Sequence, residues 1–122
     1  MDRLLWPHKL ATVADLRASL EKLTTAYPKI KDFFFLHLEF GILSCTESME
    51  ITYADKQLVF TGNGGLGGNT FTVNDVMTLL NKPVEGRGDD FPNFCICHQE
   101  IQLITKSSRI TIDMEKNQII LS

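Results

Sequence analysis

From Asn93 to Leu121 the chain contains neither glycine nor proline, and apolar residues, many of them β-branched, recur at every second position. A two-residue period sends alternate side chains to opposite faces of an extended strand, so this stretch predicts a half-buried antiparallel sheet. Ile101 and Leu103 fall on one face of one strand, Ile110 and Ile112 on that face of the next, and Ile120 on that face of the last. Gln102, Thr111 and Gln118 are interleaved toward water. Lys106-Ser107-Ser108 and Asp113-Met114-Glu115-Lys116-Asn117 are polar and short enough to close hairpins, so the expectation is a C-terminal meander. Met49 to Tyr53 and Gln57 to Thr61 alternate in the same way about Ala54-Asp55-Lys56 and extend that sheet.

Two helices are marked by their first turns. Thr12 stands three residues before Asp15, the spacing of a capping box in which hydroxyl and carboxylate each satisfy a backbone N–H. Val13, Leu16, Leu20, Leu23 and Tyr27 then form one apolar stripe, which Pro28 ends. Thr72 and Asp75 repeat the box ahead of Val73, Val76, Met77, Leu79 and Leu80, with Pro83 beyond. Phe33 to Phe40 reads as a strand buried in part on both faces, with Phe34, Leu36, Leu38 and Phe40 on one side and Phe33, Phe35, His37 and Glu39 on the other. His37, among aromatics, reads as a hydrogen-bonded interior or edge imidazole rather than a catalyst. Gly41 and the polar run Ser44 to Ser48 read as a break.

The element order is therefore α-β-β-β-α-β-β-β. It predicts a single α+β domain over residues 1–122, a mainly antiparallel sheet of five to seven strands covered on one face by two helices. A chain of 122 residues, 43% hydrophobic and 22% charged, suits one such core.

Charge bounds the partners. Net charge is −3, but Met1 to Lys31 holds six basic and three acidic residues, leaving six basic against twelve acidic for the remainder. An acidic body disfavours nucleic acid and anionic membrane and favours a basic protein. Three cysteines, two of them one residue apart, make no disulfide framework and point to a reducing compartment. With no apolar run of signal-peptide or membrane-spanning length, the expectation is a cytoplasmic protein.

Three motifs bear on chemistry. Gly62, Gly64 and Gly67 satisfy G-x-G-x-x-G between a strand and a helix. In a dinucleotide site the helix starts inside the motif and a crossover leads to a parallel strand. Here the helix starts near Val73, and the preceding strand reads as half of a hairpin. Cys95-Ile96-Cys97-His98 places both thiols on one strand face and the imidazole on the other, a poor start for a metal site, so no metal or cofactor is expected. Asp89-Asp90 is a carboxylate pair in a glycine-flanked loop. No Gly-x-Ser-x-Gly elbow accompanies His8, His37 or His98.

The residues thus favour a non-enzymatic protein-binding module of inhibitor, immunity-protein or secretion-chaperone type, with a homodimer compatible. Its acidic surface would dock a basic protein through Glu47, Glu50, Glu85, Asp89 and Asp90. The alternative is a small enzyme or phosphate- or nucleotide-binding domain using the Gly62–Gly68 loop, with Gly64, Gly65 and Gly67 at the ligand.

Overall fold

A computed structural model describes residues 3–39, 42–62, 71–81, 90–97 and 108–122. The strands are β1 (Arg3–Leu5), β2 (Phe34–Glu39), β3 (Ile42–Thr52), β4 (Gln57–Gly62), β5 (Cys95–Cys97), β6 (Ile110–Asp113) and β7 (Gln118–Leu121). The helices are α1 (Val13–Ala26) and α2 (Val73–Asn81), with short 3-10 turns at Pro28–Asp32 and Phe91–Asn93. The expected α+β class holds.

Both helices begin where their caps predict. Thr12 accepts from the Asp15 N–H at 3.3 Å, and the Asp15 carboxylate accepts from the Thr12 N–H at 3.1 Å. Thr72 and Asp75 repeat the exchange at 3.3 and 2.8 Å. Caps of this kind are worth ~1 kcal/mol each. Arg17 Nη2 donates to the Leu80 carbonyl at 2.6 Å, so α1 supplies a cation to the end of α2. Val13, Leu16, Leu20 and Leu23 of α1 and Val73, Val76 and Leu80 of α2 are buried in one cluster with Phe35, Leu58, Phe60, Ile96, Ile110, Ile112, Ile119 and Leu121 from the strands. Tyr27, expected to close the α1 stripe, is instead the C-cap and is exposed.

Seven strands run in the order β1-β6-β7-β2-β3-β4-β5. Most neighbours are antiparallel, but β2–β7 and β4–β5 are parallel. Of the expected C-terminal meander the described residues show the β6–β7 hairpin, while β5 lies at the opposite end of the sheet. Ile101, Gln102 and Leu103 fall outside the described residues. Ile120 also departs from expectation. Ile119 and Leu121 enter the helix-covered core, while Ile120 joins Leu36 and Cys45 in a small cluster on the other face. An inner strand apolar on both sides carries no alternation from which its facing can be read.

The strand β3 also overturns the expected break at Ser44 to Ser48, since it runs through all five residues. Its first part pairs with β2 (Leu36 opposite Cys45, His37 opposite Ser44) and its second with β4 (Glu50 opposite Val59, Thr52 opposite Gln57). The change of partner occurs at a bulge between Thr46 and Ser48. Phe71 and Val73 occupy the place beside β2 that β3 has left, through Phe35 N–H to Phe71 O at 2.8 Å and Val73 N–H to Phe33 O at 2.9 Å.

The strand β1 was not anticipated, being too short to show a period. Beyond it, Leu10 pairs with Ser108 ahead of β6 and Thr12 pairs with Cys95 on β5. One short stretch thus touches both ends of the sheet, which is curled but not closed into a barrel.

Asp113 ends β6 and shapes the turn to β7. It is buried, and its carboxyl is held below the ordinary value of 3.8, first by the Lys116 N–H, then by Arg3 and the Glu115 N–H, against the opposing effect of burial. A depressed folded-state pKa gives stability that is complete above the unfolded value and lost as pH falls through the folded one. Asp113→Asn keeps an acceptor for the turn and removes the charge. It should melt below the wild type at neutral pH, and the gap should close as pH falls below about 4; thermal unfolding followed by circular dichroism from neutral to acid pH measures this.

Candidate functional site

The polar residues capable of chemistry are best placed by the corner of β3. His37 is fully buried on the helix-covered face, with Nδ1 2.7 Å from Thr46 Oγ1 and its ring tilted over Phe60. Thr46 and Ser44 are also buried, and Ser44 Oγ finds no hydrogen-bond partner among the described residues. Gly62 completes the group opposite Thr46. A Cβ on Gly62 would overlap the Cys45 carbonyl oxygen and press on His37 Cε1 at 3.1 Å and Ser44 Cβ at 3.3 Å. The first glycine of the G-x-G-x-x-G run is therefore required by packing at the bend. Of the interior or edge imidazole expected for His37 the structure shows the interior one, with the His37, Ser44 and Thr46 side chains all buried.

The glycine loop gains one feature and lacks another. The strand β4 belongs to a hairpin with β3, as expected, but it also pairs in parallel with β5. So β4, α2 and β5 do form a βαβ crossover, correcting the expectation that none would be present. The helix, however, starts at Val73, and its first-turn groups are engaged by Thr72 and Asp75. Gly64, Gly65 and Gly67 lie outside the described residues.

None of the three cysteines is in a disulfide, and they do not converge. Cys97 lies beside Val59, which faces Glu50, five residues along β3 and two strands over from Cys45. At ~3.3 Å per residue and ~4.8 Å per strand the separation exceeds roughly 10 Å. Cys97 is buried, as expected for a packing thiol, but Cys95 is exposed. Burial and the charge of Glu47 both raise the Cys45 pKa, so this thiol is protonated at neutral pH. Among the described residues no three His, Cys, Asp or Glu side chains could jointly hold a metal. His98 lies outside them.

Of the five acids, Glu47 and Glu50 are exposed on β3. Glu47 is the extra residue of the bulge. Glu50 points away from the helices, since its neighbours Met49 and Ile51 pack against the main core. Asp90 is exposed and held by Lys56 Nζ at 3.0 Å. Its pKa is lowered, first by the Lys56 hydrogen bond, then by the Asn93 amide and the Lys56 charge. Glu85 and Asp89 lie outside the described residues.

Two shallow depressions mark the described surface. One, of about 590 Å³, is lined by Lys31, Asn74, Met77, Thr78 and Asn81. The other, of about 420 Å³, is lined by Ala18, Glu21, Lys22, Thr25 and Ala26 on the outer side of α1. Neither contains a histidine or a cysteine. Among the described residues no helix is long and apolar enough to cross a membrane.

Comparison with family models, curated proteins and solved structures finds no match to this chain.

Gly62→Ala tests whether the corner is packed as described. Forcing a methyl group against backbone should cost ~2 kcal/mol. In urea unfolding the midpoint should fall while the slope, which reports the surface exposed, stays constant.

Proposed function

We propose that this protein is a non-enzymatic binding module whose acidic strand surface docks a basic protein. The observation that supports this reading best is the division of polar groups between inside and outside. The imidazole and hydroxyls of the β3 corner are enclosed within the fold, whereas Glu47 and Glu50, six and three residues ahead of exposed Tyr53, stand in water on the same strand. On the face of β3 and β4 turned away from the helices, Glu50 is accompanied by half-exposed Ser48, Thr52, Gln57, Val59 and Thr61. A face of hydroxyls and amide with two carboxylates can meet a cationic partner by charge and hydrogen bonding together. The carboxylates steer encounter, and the hydroxyls give register. An inhibitor, an immunity-type protein or a chaperone of a basic protein fits this chemistry, as does a cytoplasmic location. Asp90 contributes less than its charge implies, because Lys56 already neutralises it locally.

A second reading is a phosphate- or nucleotide-binding domain using Gly64, Gly65 and Gly67. The βαβ crossover from β4 to β5 favours it. The self-capped start of α2 weighs against it, because the N–H groups of Thr72, Val73 and Asp75 already have acceptors.

The test combines both. With a basic partner captured from the native host and identified by mass, Glu47→Lys together with Glu50→Lys should weaken binding at least ~10-fold and flatten its salt dependence. Unchanged affinity in the folded double variant would contradict the acidic-surface reading. Amide shifts at Gly64, Gly65 and Gly67 on addition of inorganic phosphate would favour the second.

A further inference from the structure

The strand β1 is attached unlike the others. All three of its residues are exposed, with Leu4 at 48% and Leu5 at 61%, and among the described strands it pairs with β6 alone, at the end of the sheet. Two contacts hold its ends. Arg3 Nε lies 3.3 Å from Asp113 Oδ2, with the arginine side chain itself 61% exposed. Half-buried Trp6 donates its backbone N–H to Ile110 O at 2.9 Å and its indole N–H to Ser19 Oγ at 3.0 Å. Pro7, His8 and Lys9 follow, all exposed. Then the chain is fixed. Leu10 is 1% exposed and exchanges two backbone hydrogen bonds with Ser108, at 2.8 and 2.7 Å.

The polar and backbone groups left behind keep other partners, although Trp6 also packs against the edge of the main core and would uncover it on leaving. Asp113 retains the Glu115 and Lys116 N–H groups, at 3.2 and 3.0 Å. The strand β6 keeps its four-residue pairing with β7. The opposite end of the sheet differs, because the outer side of β5 is taken by residues 11–13, through Val13 N–H to Phe94 O at 2.9 Å and Ile96 N–H to Ala11 O at 3.3 Å.

We propose that Arg3–Trp6 is an exchangeable strand, which leaves β6 as a unit while the rest stays folded, and that the freed β6 edge takes the same strand from a second copy of this chain. The argument for that occupant is complementarity already visible within one molecule. The Arg3–Asp113 ion pair, the Leu4–Ile112 register and the Trp6–Ser19 hydrogen bond are what the other copy's strand would remake, with Pro7-His8-Lys9 as the hinge. A strand so short makes the exchange weak and concentration-dependent. This inference is independent of the acidic-surface reading.

Hydrogen exchange on the full chain tests the detachment. The Trp6 amide should exchange about 100-fold faster than those of Leu10 and Phe35, and without the denaturant dependence of global opening. Exchange of Trp6 only together with Leu10 and Phe35 would overturn the proposal. The second-copy step is read from an equimolar mixture of isotope-labelled and unlabelled full-length protein at millimolar concentration. Expected are intermolecular contacts between the Leu4 methyl groups of one copy and Ile112 of the other. A monomer throughout, or a dimer whose intermolecular contacts lie elsewhere, would overturn that step.

Discussion

The structure depends on one strand serving two partners. Eleven residues of β3 pair first with β2 and then with β4, and the backbone must bend at Thr46–Ser48 to do so. A bend of this kind inserts an extra residue and increases local twist. It also brings a carbonyl, that of Cys45, inward until only a glycine fits opposite. The space so created is small and lined by backbone, and polar side chains fill it. His37 reaches Thr46, and Phe60 closes the other side by stacking on Phe35 at 5.3 Å. Here imidazole and hydroxyl act as packing groups that hydrogen-bond each other through His37 and Thr46, while Ser44 Oγ has no partner among the described residues.

That role explains what the amino-acid pattern showed and what it concealed. Helix starts were legible because Thr12–Asp15 and Thr72–Asp75 are local devices that depend on nothing distant. His37 was legible in part, since an imidazole following Phe33, Phe34 and Phe35 and set between Leu36 and Leu38 reads as interior or edge, and the structure makes it interior. The Ser44–Ser48 run was misread because polarity there serves a bend within a strand, a demand set by pairing with β2 on one side and β4 on the other, which no local residue pattern displays. The facing of Ile119, Ile120 and Leu121 was concealed for a related reason, as a central strand is apolar on both sides. The strand β1 could not be seen at all. Three residues define no period, and their extended form is imposed by β6, more than a hundred positions away.

The crossover from β4 to β5 shows how one strand can belong to two motifs. Read from its hairpin with β3, β4 is antiparallel, and a phosphate loop after it looks misplaced. Its pairing with β5 is parallel, the arrangement such loops require. What separates the two functional readings is therefore the helix end rather than the sheet. Thr72 and Asp75 give the first turn of α2 its own acceptors, and an incoming phosphate would have to compete with an intramolecular carboxylate. A helix that supplies its own anion has no electrostatic need of another.

The sheet's two ends receive unequal treatment, and the reason lies in the N-terminal segment. Around Leu10 to Val13 its backbone is shared between Ser108 on one side and Phe94 and Ile96 on the other, so alternate residues satisfy opposite edges. Before Leu10 the same chain follows β6 alone, and the backbone groups on the far side of β1 meet no described strand. The N-terminal segment thus bridges the two sides at residues 10–13 without closing the sheet, and follows β6 at residues 3–5. An exposed edge invites another strand unless it is short or charged. Here it is three residues long, and its one charge, on Arg3, is turned to Asp113. Shortness alone limits association at β1, whereas β5 is protected by hydrogen bonds to its own chain.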